Sequence, residues 1–311
     1  MPVRSRALPY AAVALAACAW GTWGVVIRHT DAIGAMPVAL ESTLVMAVIT
    51  VVTGLFSLRD RVPGRAPWKA RAWVAWLGVS DALNILLFFA AYKLTIAVSV
   101  LTHYLTPIFV AVAAPLVLRE RMTARTAAAI ATSFAGLALM LAPSSGGAGS
   151  AAVWTSAMLG AGSAVFYASN VIVNKFVAAD FSTSETMFWH GVVGTPLLAA
   201  FVPPSAWSAI DPRAASFLAL ATVGPGALAG LAFVWGLRRM PAAHASTLTL
   251  LEPLVSILLG AALLGEWLGV RAVGGGALIL AGAVVVMAAR APSSPAAISA
   301  SSTPPPGSPP R

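Results

Sequence analysis

Ten apolar runs of about twenty residues follow one another with little between them, and they leave this chain few ways to fold. A helix rises about 1.5 Å per residue, so about 20 residues cross a hydrocarbon layer of roughly 30 Å. The runs are 8–28, 33–57, 72–92, 95–118, 124–142, 152–174, 184–203, 214–236, 242–264 and 269–290. In lipid, each backbone N–H and C=O must be paired within its own segment, which selects helices. Composition agrees: 59% of the residues are hydrophobic and only 9% charged, whereas an average soluble domain carries about a quarter charged residues. So few charges cannot cover a water-facing surface. The expected fold is an all-α polytopic membrane protein with ten transmembrane helices.

The remaining segments add little. The longest polar link, 59–71, contains Arg61, Pro63, Arg65, Pro67 and Lys69 and has no room for a soluble domain. The Pro/Ser/Ala-rich tail, 292–311, lacks periodicity and is expected to be disordered. Arg4 and Arg6 precede the first apolar run as in a signal peptide. No small-residue cleavage site with a soluble domain behind it follows, so this run reads as a first membrane helix. Cys18 stands alone, which excludes an internal disulfide.

A net charge of +9 would suggest nucleic acid in a soluble protein. Here the basic residues report orientation instead, and no nucleic-acid partner is expected. Ten spans put both termini on one side. If that side is the cytoplasm, it carries fifteen Lys and Arg, leaving only Arg28, Lys93, Arg213 and Arg271 outside. Cytoplasmic loops are the basic ones, so both termini are expected to be cytoplasmic.

The runs are also duplicated. Pro107 and Pro253 lie 146 residues apart, as do Glu120 and Glu266, Leu105 and Leu251, and Gly136 and Gly282. Trp20 to Arg28 aligns with Tyr167 to Lys175 at an offset of 147, each segment running from an aromatic to a cation. The unit, 8–142 and then 152–290, has five helices. Five is odd, so the second copy enters the membrane from the opposite side, and the halves are expected to be inverted repeats.

The pattern of an early aromatic segment ending in a cation, Ala-rich entries near Ala97 and Ala243, mid-helix prolines and terminal glutamates resembles the EamA family of the drug/metabolite transporter superfamily. It extends over nearly all of 8–290. The resemblance implies ten helices in two EamA repeats and export or exchange of small metabolites across a bacterial inner membrane, with an amino-acid-like solute favoured. The chain departs from the family at Leu40-Glu41-Ser42-Thr43, where members often carry an arginine.

An ionisable group well inside a span costs about 2.5–3.5 kcal/mol on insertion scales, which makes it a functional candidate. The interior set is Glu41, Asp81, His103, His190 and Glu252. Thr106 aligns with Glu252 and His103 with Thr249, so the two copies differ at one depth. Ser99, His103 and Thr106 share one helix face, and Ser246, Thr249, Glu252 and Ser256 share another. These stripes can line a cavity or simply allow close packing. Asp81 and Asn84, one turn apart, form either a site or an interhelical hydrogen bond, and His190 reads first as a packed histidine.

The expected pathway residues are Trp20, Trp23, Asp81, Asn84, His103, Tyr104, Tyr167, Asn170, Asn174, Trp235, Thr249 and Glu252. The proton-coupling candidates are Glu252, Asp81, His103 and Glu41. Pro107, Pro253 and Pro225 are the expected helix breakers. No phosphate-binding Gly-x4-Gly-Lys-Ser/Thr loop and no metal-ligand spacing occur, so no cofactor, metal or enzymatic activity is expected. The resulting expectation is a secondary active transporter working by alternating access, with proton coupling as a hypothesis and a homodimer left open. The alternatives are a multidrug or cation efflux carrier, then an intramembrane lipid-modifying enzyme.

Overall fold

The computed structural model describes residues 3–60, 62, 64, 66–94, 96–141, 150–264 and 269–288. Glu266 and the tail 292–311 lie outside the described residues. Among those described, every regular element is helical and no strand forms. Eight segments are long and apolar enough to cross a membrane, with Ala124–Met140 a shorter apolar helix. Thr183–Ala199, where a further run was expected, is a helix of 17 residues.

The helices divide into continuous and interrupted ones. Continuous are α3 (Val38–Ser57), α4 (Trp68–Leu94), α7 (Ala124–Met140), α8 (Ser150–Phe176), α9 (Thr183–Ala199) and α15 (Val270–Ala288). Three runs are split: α1 (Val3–Trp20) from α2 (Trp23–Gly34), α5 (Ile96–His103) from α6 (Thr106–Val117), and α13 (Ala242–Leu248) from α14 (Leu251–Leu264). A short α10 (Pro204–Ser208) precedes α11 (Pro212–Thr222), which passes through a wide turn, Val223–Leu228, into α12 (Ala229–Leu237). The first run continues to Gly34, past the boundary expected near residue 28. Nothing in Arg28-His29-Thr30-Asp31 breaks a helix, whereas Pro37 does, entering α3 as its cap.

Two of the interruptions have one cause. Proline lacks the N–H that would bond the carbonyl four residues back. Pro107 therefore leaves the His103 carbonyl without its helical donor, and Pro253 does the same to Thr249, its equivalent at 146 residues. The Thr106 hydroxyl takes over at His103 (2.7 Å). The Glu252 amide bonds Thr249 at 3.0 Å in a tighter turn.

The same offset recurs in packing, where α7 lies against α15. A Cβ on Gly136 would stand 2.5 Å from the Gly275 carbonyl oxygen and 3.0 Å from the Ile279 amide. A Cβ on Gly282 would strike the Ser133 hydroxyl and stand 2.8 Å from the Ala129 carbonyl. Gly275 and Ala129 are themselves 146 apart, as are Ile279 and Ser133, so the contact is reciprocal. Likewise α3 packs on α9, α4 on α8, and α1 and α2 on α12 and α11. Large apolar side chains such as Leu15, Leu116, Leu220 and Val270 point outward, which suits a surface facing lipid.

Candidate functional site

A cavity of about 290 Å³ opens among these helices, close to the size at which pockets hold small molecules. Each of its walls follows from a local feature. Gly21 ends α1 against α14, where a Cβ would stand 2.8 Å from the Glu252 carbonyl and 2.6 Å from Val255. Ser256 donates to the Gly21 carbonyl at 2.9 Å and fixes that crossing. Trp20, Trp23 and Glu252 thereby reach the cavity together. On another side Pro225 and Gly226, in the wide turn, complete the wall. The first turn of α3 contributes Glu41 and Ser42.

The polar face belongs to α4, α8 and α9. Asn170 donates to Asp81 at 2.9 Å and accepts from the Ser80 hydroxyl. The His190 Nε2 stands 3.4 Å from the other Asp81 oxygen. Ser163 donates to the Asn84 amide oxygen at 2.8 Å, and its hydroxyl lies 2.8 Å from His103 Nδ1. The His103 ring is held between Phe88 (centroids 4.3 Å apart) and Tyr167, which stacks on it at 5.4 Å and 8°. Trp20 and Phe233 meet at 4.9 Å. The lining thus holds aromatic rings and carboxylates together.

Of the expected pathway residues, Trp20, Trp23, Asp81, Asn84, His103, Tyr167, Asn170, Asn174 and Glu252 line the cavity, as do Glu41 and Pro225. Three do not. Tyr104 is buried behind the wall, its hydroxyl within side-chain hydrogen-bonding reach of Glu252. Thr249 is buried and donates to the Ser246 carbonyl of its own helix at 2.7 Å. Trp235 lies under the Arg239 guanidinium, 4.2 Å from its ring. Pro107 and Pro253 act through the breaks described above. The lining also holds Ser42, Phe88, Phe233 and His190. The polar triplet at the start of α3 carried a signal for Ser42, whereas nothing in spacing separates a lining phenylalanine from a packed one.

At one end the helices are tied shut. Glu120 pairs with Lys175 and accepts from the Ala242 amide at 2.7 Å, while Lys175 also donates to the Met240 carbonyl at 2.6 Å. Beside them Arg238 donates to the Phe181 carbonyl (2.8 Å) and the Thr186 hydroxyl (2.6 Å). Burial, with Arg239 adjacent, pushes the Arg238 guanidinium down to about 10. It therefore stays charged at neutral pH.

A cavity framed by broken helices in a duplicated, lipid-exposed bundle matches a known pattern. The model of the EamA-like transporter family matches residues 7–142 and again residues 154–288. The chain belongs to the EamA-like transporter family. As a member of that family it is a multi-pass membrane protein of transporter type. A crystal structure of another protein shares 21% sequence identity with it. The match has a TM-score of 0.74 and covers 91% of this chain and 99% of the other. At that identity the likeness is one of fold. No curated protein matches the sequence.

Proposed function

We propose that this EamA-family chain is a secondary active transporter that moves a small organic solute across a bacterial inner membrane by alternating access. Its halves, 8–142 and 152–290, form ten spans as inverted five-helix repeats with both termini cytoplasmic. Export or exchange is the expected direction of use. One observation carries the reading: the cavity lies where helices of both halves are interrupted, between walls that the two halves share. The reciprocal contacts of Gly136 and Gly282 support the inversion. The ties among Glu120, Lys175 and Met240 support a state closed at the end that the basic residues assign to the cytoplasm.

Saturable counterflow of a labelled solute in proteoliposomes tests the carrier reading. Flux that rises linearly with concentration and shows no trans-stimulation contradicts it and favours a channel. Coupling to protons belongs to the same proposal, with Glu252, Asp81, His103 and Glu41 as candidate groups on the wall. Glu252→Gln is expected to flatten the pH dependence of flux. A wild-type pH profile in that variant removes Glu252 from the coupling.

A further inference from the structure

The buried histidine of the wall is held in one hydrogen-bonding state. The Ser163 hydroxyl stands 2.8 Å from the Asn84 amide oxygen and 3.1 Å from the Asn84 backbone carbonyl. Both of those oxygens only accept, so the one hydroxyl hydrogen goes to Asn84. His103 Nδ1, 2.8 Å from the same hydroxyl, must then be the donor to it. Phe88 and Tyr167 hold the ring between them, and Tyr104 meets it edge-on at 5.2 Å. These rings and the hydroxyl are all uncharged, and a buried charge without a partner is costly. The imidazole is therefore neutral, with its hydrogen on Nδ1 and a lone pair on Nε2.

That lone pair is offered to the solute. His103 lines the cavity, and with its faces covered and Nδ1 engaged, the edge bearing Nε2 is what remains to meet a ligand. Nε2 has no partner among the described residues and, unlike the Ser42 hydroxyl and the Asn174 amide oxygen, it is not enclosed by protein. Two carboxylates nearby differ in this respect. Asp81 already accepts from Asn170 at 2.9 Å, and Glu252 lies within hydrogen-bonding reach of Tyr104. An acceptor left unpaired once the cavity closes is costly, and a ligand donor removes that cost. Trp20, Trp23, Tyr167 and Phe233 bring aromatic rings to the same cavity of about 290 Å³, and such walls suit a flat ring.

We propose that His103 is the hydrogen-bond acceptor of the cavity and that the solute is a flat heterocycle with an N–H on its edge. Ser163 is the positioning residue, fixing the His103 tautomer through Asn84. This rests on the carrier reading above, takes His103 out of the proton-coupling set, and names a solute class in place of the amino-acid-like one that the resemblance favours.

The first test needs no solute. NMR of isotopically labelled histidine ring nitrogens in the purified full-length protein, with His103 assigned by the signal lost in His103→Gln, is expected to show a neutral ring with hydrogen on Nδ1. Ser163→Ala removes the acceptor and is expected to move that hydrogen to Nε2. A hydrogen on Nε2 in the wild-type protein, as the other tautomer or as imidazolium, overturns the proposal. A tautomer that Ser163→Ala leaves unchanged does so too. The second test uses theophylline and caffeine, which differ by an N–H against an N-methyl on the same ring. By calorimetry theophylline is expected to bind about tenfold more tightly, because a site built around a donor rejects the analogue that lacks it. His103→Gln keeps an acceptor and should retain part of that preference, whereas His103→Leu and Ser163→Ala should abolish it. Caffeine binding as tightly as theophylline, or theophylline failing to bind the wild-type protein, overturns the proposal. Counterflow of the labelled xanthines separates the two claims. The expected binding preference without counterflow retains the acceptor site and contradicts the carrier, whereas counterflow of caffeine alone retains the carrier and contradicts the acceptor site.

Discussion

Two helix pairs that the repeat makes equivalent are built in opposite ways. At the repeat offset α8 corresponds to the first run, α1 with α2, and α4 corresponds to α11 with α12. So α4 on α8 and α1/α2 on α11/α12 are the same crossing made twice. The first crossing joins two unbroken helices of 27 residues each. Side chains tie it along its length, with Trp76 donating to Ser169 at 2.8 Å, Asn170 to Asp81, Ser163 to Asn84, and Ser156 to the Ala91 carbonyl at 3.0 Å. The second crossing is interrupted at Gly21-Thr22 and at Val223–Leu228, and meets through rings, Trp20 on Phe233 and His29 on Phe217. One topology thus carries a continuous polar wall on one side of the cavity and an interrupted aromatic wall on the other, which the proposed function makes the fixed and the hinged wall. Gly21, Pro225 and Gly226 stand in one copy where the other has Ala168, Val79 and Ser80, whereas Gly224 keeps a glycine counterpart in Gly78.

The contrast can be broken from either side. The largest effect is expected from putting an interruption where there is none. Ala82 is buried in the middle of α4, and Ala82→Pro should cost about 3 kcal/mol or more and abolish folded protein in detergent by size-exclusion chromatography. Next comes Gly21→Val. Its side chain meets the Glu252 carbonyl and Val255, and overpacking of this kind costs about 1–3 kcal/mol. Thermal unfolding should fall by several degrees, and counterflow should drop at least tenfold as α14 is displaced.

Straightening the hinged wall tests the converse. Pro225→Ala restores the N–H facing the Ala221 carbonyl and is expected to keep or raise the melting temperature. Transport should fall several-fold while solute binding persists. Full transport in that variant means the wide turn is only a packing feature. The smallest effect belongs to a single tie of the fixed wall. Trp76→Phe removes one hydrogen bond, worth about 1 kcal/mol, and should lower stability slightly without changing flux.

Much of this was legible because membrane helices announce themselves by length and because a proline within an apolar run can interrupt it, as Pro107 and Pro253 do, although Pro9, Pro115 and Pro196 stand inside unbroken helices. Pro107 and Pro253 marked the two breaks, and their spacing held in three dimensions through Gly136 and Gly282. Asp81, Asn84, Asn170 and Glu252 could be singled out because an amide or carboxyl inside a span needs a partner. Rotation about a helix axis is another matter. Trp235 and Trp20 are alike in sequence, yet one lies beneath Arg239 and the other lines the cavity. Thr249 shared a face with Glu252, but a threonine can satisfy itself on its own backbone, as this one does on Ser246. Glu120, marked in the sequence by its spacing, pairs with Lys175, and neither lines the cavity. Such outcomes depend on which neighbour packs where, and single-chain spacing does not encode that.

The most direct measurement is a pair of spin-label distances in a Cys18→Ser background. One pair spans the cavity from the hinged wall to the fixed wall, Leu220 on α11 and Trp154 on α8. The other lies within the fixed wall, Trp73 on α4 and Trp154 on α8; all three side chains are exposed. On saturation with a solute that shows counterflow, the Leu220–Trp154 distribution should shift by several ångström while the Trp73–Trp154 distribution stays unchanged. A shift within the fixed pair, or none in either, contradicts alternating access by a hinged wall moving against a rigid one.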